Sequence, residues 1–178
     1  MSLTIDSDTV TIGAVKAKSS DKRAILDLFV KQITDAIAVL TQAALSAHEA
    51  ATHSESKAED QYDTRGLEAS YLAGAQSRRA MELEEALTLF RHLDIKSFTE
   101  STPIASTALI ELQDEDKLAV YFLLPLAGGM KAEHGGETIQ TITPQSPLGT
   151  AILGHKVGEQ VQIQLRGAIK DLDIVAVV

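Results

Sequence analysis

The stretch Asp21–Ala47, DKRAILDLFVKQITDAIAVLTQAALSA, decides how the first half of the chain folds. Its apolar residues recur at spacings of three and four, so they fall on one face of a helix. These residues are Leu26, Phe29, Ile33, Ile37, Leu40, Ala44 and Ala47. Ser19 or Ser20, together with Asp21, offers an N-cap just before them. The pattern is typical of a helix that packs along a narrow seam against a second helix.

A second stretch of this kind follows a polar interruption. The seam fades over His48–Lys57 and then resumes through Tyr62, Ala69, Leu72, Leu83, Ala86, Phe90 and Leu93. Residues 21–93 contain no proline and only two glycines, which is typical of long helices. Two such helices predict an antiparallel coiled-coil hairpin, with arms about 45–50 Å long at a rise of about 1.5 Å per residue.

The second half of the chain has a different character. All four prolines lie beyond residue 102, and eight of the eleven glycines lie beyond residue 127. Short apolar or alternating runs predict five strands. These are Thr107–Leu112, Lys117–Leu124, Thr138–Thr143, Gln160–Leu165 and Asp173–Val178.

The segments between these strands contain recognisable turn residues. Gln113–Lys117 predicts a charged hairpin turn, and the glycines of Leu126–Gly136 predict a wider loop. Pro147 stands at a plausible first helical position and Gly154 at the matching stop, which predicts one short helix. The fold class is therefore α+β: a helical hairpin over residues 19–96, then a small antiparallel β domain over residues 103–178. We interpret residues 1–18 as a disordered leader.

Composition narrows the possible functions. The 178 residues carry a formal net charge of −9 and contain no cysteine. Thiol catalysis, disulfides and thiolate metal sites are therefore excluded, and a direct electrostatic grip on nucleic acid is disfavoured. No apolar run is long enough to span a membrane, and the first residues lack the pattern of a secretory signal. We expect a soluble cytoplasmic protein.

The segment Ile142–Glu159, ITPQSPLGTAILGHKVGE, resembles the C-terminal domain of the bacterial transcript-cleavage factors of the GreA/GreB family. The residues in register with that pattern are Ser146, Pro147, Leu153, Gly154, Lys156, Gly158 and Glu159. In the hairpin, Tyr62, Tyr71 and Gly74 hold the spacing of the family's second helix. The resemblance implies an FKBP-like C-terminal domain behind a coiled-coil hairpin.

The resemblance also implies a partner and a mechanism. Factors of this family insert the hairpin into the secondary channel of bacterial RNA polymerase and stimulate cleavage of backtracked RNA. The implied tip carboxylates are Glu55, Glu59 and Asp60, which would help to hold a catalytic Mg²⁺ that the polymerase supplies, since Mg²⁺ prefers carboxylate oxygens. The chain would then be no enzyme itself, would need no cofactor or metal of its own, and would meet RNA or DNA only through the polymerase.

The same resemblance implies contact residues for the polymerase, which are Tyr62, Ser146, Pro147 and Leu148. One position departs from the family. The cleavage factors carry acids seven and four residues before the tip tyrosine, and counting back from Tyr62 gives Glu55 and Ala58. A non-cleaving polymerase regulator, or a coiled-coil adaptor with the same architecture, therefore stays open. An ordinary solvated turn also explains the tip acids.

Other kinds of site find less support in the sequence. His48 and His53 are five residues apart and do not share a helix face as zinc-binding pairs spaced by four do. No phosphate-binding glycine fingerprint occurs. Tyr121 and Phe122 are the only aromatic residues after residue 98, too few for the aromatic hollow that the resemblance associates with prolyl isomerases. Leu123, Leu124 and Leu126 fit either the core or a docking surface, and the oligomeric state is open.

Overall fold

The computed structural model describes residues 21–52, 65–115, 117–165 and 167–178. It contains helices α1 (Lys22–Thr52) and α2 (Arg65–Arg91), which confirms the predicted N-terminal hairpin. Leu26, Phe29 and Ile33 are completely buried, and the rest of the predicted seam of α1, from Ile37 to Ala47, is half-buried. Spacing alone therefore located the packing face of the first helix.

The seam of α2 was only partly predicted. Leu83, Ala86 and Phe90 are buried as expected, but Leu72 is 54% exposed. Ala80 and Leu87, seven residues apart, are buried instead, and this heptad step is the coiled-coil repeat. Alanine contributes little to an apolar pattern, so the prediction assigned the larger Leu72 to the seam, although its side chain lies on the exposed face of α2.

A six-stranded sheet forms the second half of the described chain. Its strands are β1 (Leu109–Asp114), β2 (Lys117–Leu123), β3 (Lys131–His134), β4 (Glu137–Ile142), β5 (Gln160–Leu165) and β6 (Ala168–Val177). Their spatial order is β3-β4-β2-β1-β6-β5. The short helix α3 (Pro147–Ile152) lies between β4 and β5 in the chain, as predicted.

Two features of the sheet correct the prediction. Strand β3 lies inside Leu126–Gly136, which was predicted to be loop throughout. Its sequence, KAEH, is short and mostly charged, so it lacks the apolar alternation that identifies strands. The sheet is also not purely antiparallel, because β2 and β4 run parallel. The unforeseen β3–β4 hairpin returns the chain beside β2 in the same direction.

The core lies on the face of the sheet that α3 covers. Alternate residues of β1, β5 and β6 point into it together with Ile152 of α3. The members from the three strands are Ile110, Leu112, Val161, Ile163, Leu172, Ile174 and Val177. Leu123 also belongs to this cluster and Leu124 is buried, so both are core residues, whereas Leu126 is half-buried.

The opposite face of the sheet is also buried near β1 and β2. Phe122 pairs with Leu109, and both side chains are fully buried. By contacts, Asp94–Val178 forms one compact unit with the described residues up to Phe29, while Val30–Leu93 forms another. This division differs from the predicted domains, 19–96 and 103–178, because the first turns of α1 belong with the sheet. In the part of the chain described, no helix is long and apolar enough to cross a membrane.

Candidate partner-binding site

The turn that enters α3 is held by the side chain of Ser146. Its Oγ donates to the main-chain oxygen of Thr143 at 2.7 Å and accepts from the N–H of Gly149 at 3.0 Å. Ser146 is extended, with φ −69° and ψ 152°, as an N-cap requires. Pro147 takes the first helical position, where its missing N–H costs nothing.

Gly149 lets this turn close tightly. A Cβ atom built on Gly149 would lie 1.9 Å from the main-chain oxygen of Thr143. That distance is far inside van der Waals contact, and the obstacle is backbone rather than a flexible side chain. Only glycine therefore fits, and the helix packs directly onto the turn before it. Sequence reasoning did not single out this residue, although a glycine three places after a capping serine was a usable signal.

The end of α3 is fastened to the segment before β1. The N–H of Gly154 donates to the oxygen of Ile104 at 2.9 Å, and the N–H of Ile104 donates to the oxygen of His155 at 2.8 Å. Nδ1 of His155 lies 2.6 Å from Oε2 of Glu159. This hydrogen bond with His155 is the main reason why the pKa of Glu159 is lowered. The stop at Gly154, with φ +83°, is as predicted.

These bonds present a firm, partly apolar corner to solvent. Pro147 is exposed, whereas Leu148 is half-buried and packs against the core. Because Oγ of Ser146 is occupied by main-chain partners on both sides, it is not arranged as a nucleophile. The predicted contact residues Ser146, Pro147 and Leu148 are therefore together, and the arrangement suits docking rather than covalent chemistry.

The C-terminal part of the chain is similar to proteins of known families. Residues 103–178 match the family model described as transcription elongation factor, GreA/GreB, C-term. Over these residues the chain is similar to the C-terminal domain of GreA/GreB factors. Transcription elongation factor GreA of Streptomyces coelicolor is 40% identical over 52 residues. That match covers 29% of this chain and 28% of the Streptomyces protein, so it spans well under two thirds of that relative.

Solved structures of GreA/GreB-type proteins were also matched. GreA factor homolog 1 (Gfh1) of Thermus thermophilus is 19% identical, with 88% of this chain and 94% of that chain covered and a TM-score of 0.36. The GreA/GreB factor of Nitrosomonas europaea is 17% identical, with 66% and 95% covered and a TM-score of 0.33.

The other predicted site residues of the GreA/GreB resemblance, Glu55, Glu59, Asp60 and Tyr62, lie outside the described residues. Their role therefore stays a prediction. Within residues 21–52, 65–115, 117–165 and 167–178, no group of three or more histidine and carboxylate side chains is placed to hold a metal ion.

A buried lysine is the feature that sequence reasoning missed. Lys22, in the first turn of α1, is only 2% exposed. Its Nζ donates to the main-chain oxygens of Lys96 at 2.7 Å and Val178 at 2.8 Å, and lies 4.9 Å from the centre of the Phe98 ring. Burial lowers the pKa of Lys22 from 10.5 to about 8.

A sequence signal for Lys22 did exist. It lies four residues before Leu26 and seven before Phe29, so it continues the apolar seam backwards by one turn. A lysine on an apolar helix face marks a charged group that needs hydrogen-bond partners if it is buried, but the spacing does not say which groups accept from it. The bonds of Lys22 join the start of the hairpin's first helix to the C-terminal domain, within one compact unit.

Proposed function

We propose that this protein is a GreA/GreB-type transcription elongation factor that binds bacterial RNA polymerase through its C-terminal domain and carries the hairpin tip into the secondary channel. The observation that carries the proposal is the family match over residues 103–178. It is supported by the firm corner at Ser146–Leu148, which is preorganised and therefore loses little conformational entropy on binding.

At the tip, Glu55, Glu59 and Asp60 are the proposed carboxylates. In the proposed mechanism these side chains would help to hold an Mg²⁺ supplied by the polymerase, and the ion would activate a water for hydrolysis of the backtracked RNA. A hard cation of this size keeps several waters and accepts one or two carboxylate ligands. The polymerase supplies the rest of the site, and the chain itself is no hydrolase.

Binding is tested first, with the full chain, because residues 22–29 belong to the same compact unit as the sheet. Pro147→Asp is the informative variant. An acid in the first turn of a helix is favourable, so the fold should persist while the exposed apolar contact becomes charged. We expect polymerase capture to fall. The matched control is Leu118→Asp, which changes another exposed apolar residue, 45% exposed, on β2.

Cleavage is tested next on stalled elongation complexes. Replacing Glu55, Glu59 and Asp60 together by alanine should abolish RNA cleavage and leave polymerase binding intact. The control replaces three exposed acids of α2, Glu82, Glu84 and Glu85, and removes the same charge. Cleavage that survives the tip variant contradicts the tip mechanism. Failure of the unaltered chain to bind polymerase contradicts the proposal as a whole.

A non-cleaving regulator is the second candidate, and Ala58 is the observation that favours it. The position four residues before Tyr62 lacks the carboxylate of the cleavage factors, and a cation held by fewer ligands is bound more weakly. Binding without cleavage in the unaltered chain supports this candidate. Ala58→Glu then restores the missing acid, and the gain of cleavage in that variant would show that one side chain separates the two functions.

A further inference from the structure

Strand β5 forms one edge of the sheet. Along its outer side, three residues direct their main-chain N–H and C=O groups away from the sheet. The N–H of Ile174 donates to the oxygen of Glu159 at 3.0 Å, while Gln160 pairs with Asp173. In an antiparallel ladder, pairs that exchange main-chain hydrogen bonds alternate with pairs that do not. Because Glu159 and Ile174 are hydrogen-bonded, the next pair, Gln160 and Asp173, exchanges no main-chain hydrogen bond. The N–H and C=O groups of Gln160, Gln162 and Gln164 therefore point away from β6.

Those outward groups are unoccupied by the main chain of the described residues. The bonds found outside the regular ladders do not reach Gln160, Gln162 or Gln164. Their side chains are exposed, and two of them bond along the sheet: Nε2 of Gln160 to Asp173 and Nε2 of Gln162 to Asp171, both at 2.9 Å. These bonds tie the two side chains to β6 and leave the main-chain edge of β5 open to a further strand.

The other edge of the sheet is protected in ways that β5 is not. Strand β3 has four residues, and its outward groups belong to charged Lys131 and Glu133, because the N–H of Thr141 donates to the oxygen of Met130 at 2.8 Å. Short length and edge charges are devices that prevent strand addition. Strand β5 has six residues, QVQIQL, with no charge and no proline. Of the two edges, β5 is the one suited to accept a strand.

We propose that β5 pairs with β5 of a second copy of this chain in an antiparallel, two-fold symmetric arrangement. In that register Gln162 lies opposite its own copy and Gln160 lies opposite Gln164. A symmetric contact places identical residues near the axis, and at this strand those residues are neutral although the chain carries −9. Like charges are thus kept out of the contact, which a charged strand would not allow.

The apolar side of β5 is compatible with the same pairing, because Val161 and Ile163 are already buried in the core and bring no charge to the contact. Val161 would lie opposite Ile163 of the second copy, on the face of the sheet that α3 covers. Six residues a side bury less surface than a permanent dimer needs. The contact is therefore a weak and reversible one.

The test is sedimentation velocity of the full chain over a wide concentration range, with Gln162→Pro as the main variant. Because the N–H of Gln162 points outward, proline removes no main-chain bond to β6 and loses only the side-chain bond to Asp171. Edge strands tolerate proline at such positions. It removes both hydrogen bonds that the two Gln162 residues would exchange, so the dimerisation constant should weaken by about tenfold or more. The matched control is Glu133→Pro, which removes an outward N–H from β3 and should leave association unchanged.

A second variant and a second measurement keep the test valid if Gln162→Pro disturbs the fold. Gln162→Lys keeps the strand and sets two like charges at the axis, so it should also give monomers, while Gln113→Lys on β1 should not. Hydrogen exchange should show protection of the Gln160, Gln162 and Gln164 amides that rises with protein concentration. A monomer at every concentration, a dimer unaffected by Gln162→Pro, or edge protection that does not depend on concentration would each overturn the proposal.

Discussion

Lys22→Met is the most informative single substitution, because it keeps the length of the side chain and removes its charge and its donors. Lys22 is 2% exposed and bonds to the oxygens of Lys96 and Val178. Methionine would leave both oxygens without this donor inside a buried environment. An unsatisfied buried acceptor costs about 1–3 kcal/mol.

Two opposing effects set the magnitude at neutral pH. The variant loses two hydrogen bonds from a charged donor, worth about 1.5–3 kcal/mol each, and a cation–π contact of about 1 kcal/mol with Phe98. On the other side, the variant no longer has to bury an ammonium group. The lowering of the Lys22 pKa from 10.5 to about 8 sets that relieved cost at about 3 kcal/mol. We expect a net loss of about 2 kcal/mol, or about 4–8 °C in melting temperature.

The pH dependence tests the same reasoning independently. Between the folded pKa of about 8 and the unfolded value of 10.5, the unfolded chain binds the Lys22 proton more than the folded chain does. Stability from this group therefore rises with pH across that window. Between about pH 7 and about pH 9.5 the gap between the unaltered chain and Lys22→Met should widen by about 2 kcal/mol.

The assay is urea denaturation followed by circular dichroism at both pH values. Lys31→Met is the control, since Lys31 lies on the same helix but is exposed and pairs with Asp35 at 2.6 Å. Exposed pairs of this kind contribute less than about 1 kcal/mol. Equal stability of Lys22→Met and the unaltered chain at pH 7, with a gap that stays constant as the pH rises, would refute the argument.

Four further substitutions, at three positions, test the description of the helices. Gly149→Ala should destabilise the fold by more than about 3 kcal/mol, because its Cβ would collide with the oxygen of Thr143; thermal unfolding and soluble yield report it. Gly74→Ala, whose Cβ would approach nothing nearer than Arg78 at 3.6 Å, should instead stabilise α2 by about 0.5–1 kcal/mol; an unchanged or lower melting temperature would contradict this. Ser146→Ala should cost about 1 kcal/mol through loss of the N-cap, while Ser146→Asp should retain most of the stability.

The sequence predicted the elements whose signals are local. The seam from Leu26 to Ile33 follows directly from spacing, and the cap at Ser146 with the stop at Gly154 follows from residue type. These features depend on neighbours within a few positions of the chain. The C-terminal resemblance was specific for the same reason, since most of its residues lie in one stretch, Ile142–Glu159.

Features that depend on distant parts of the chain were missed. Strand β3 is defined by its partner β4, not by its own apolar pattern. The burial of Lys22 depends on residues 74 and 156 positions away, so no local window contains its acceptors. Leu72 was misplaced because α2 packs through alanine, whose small side chain carries little pattern.

The bonds of Lys22 have a consequence for how the protein is made. A ribosome releases α1 first, yet one acceptor of Lys22 is the oxygen of Val178, 156 residues later. The buried amine therefore has no complete set of acceptors until translation has passed the final strand. The first turn of nascent α1 must wait with the amine of Lys22 incompletely bonded, a situation that exposes it to chaperones and to non-native association. Val178 thus completes a set of bonds that begins in the first turn of α1.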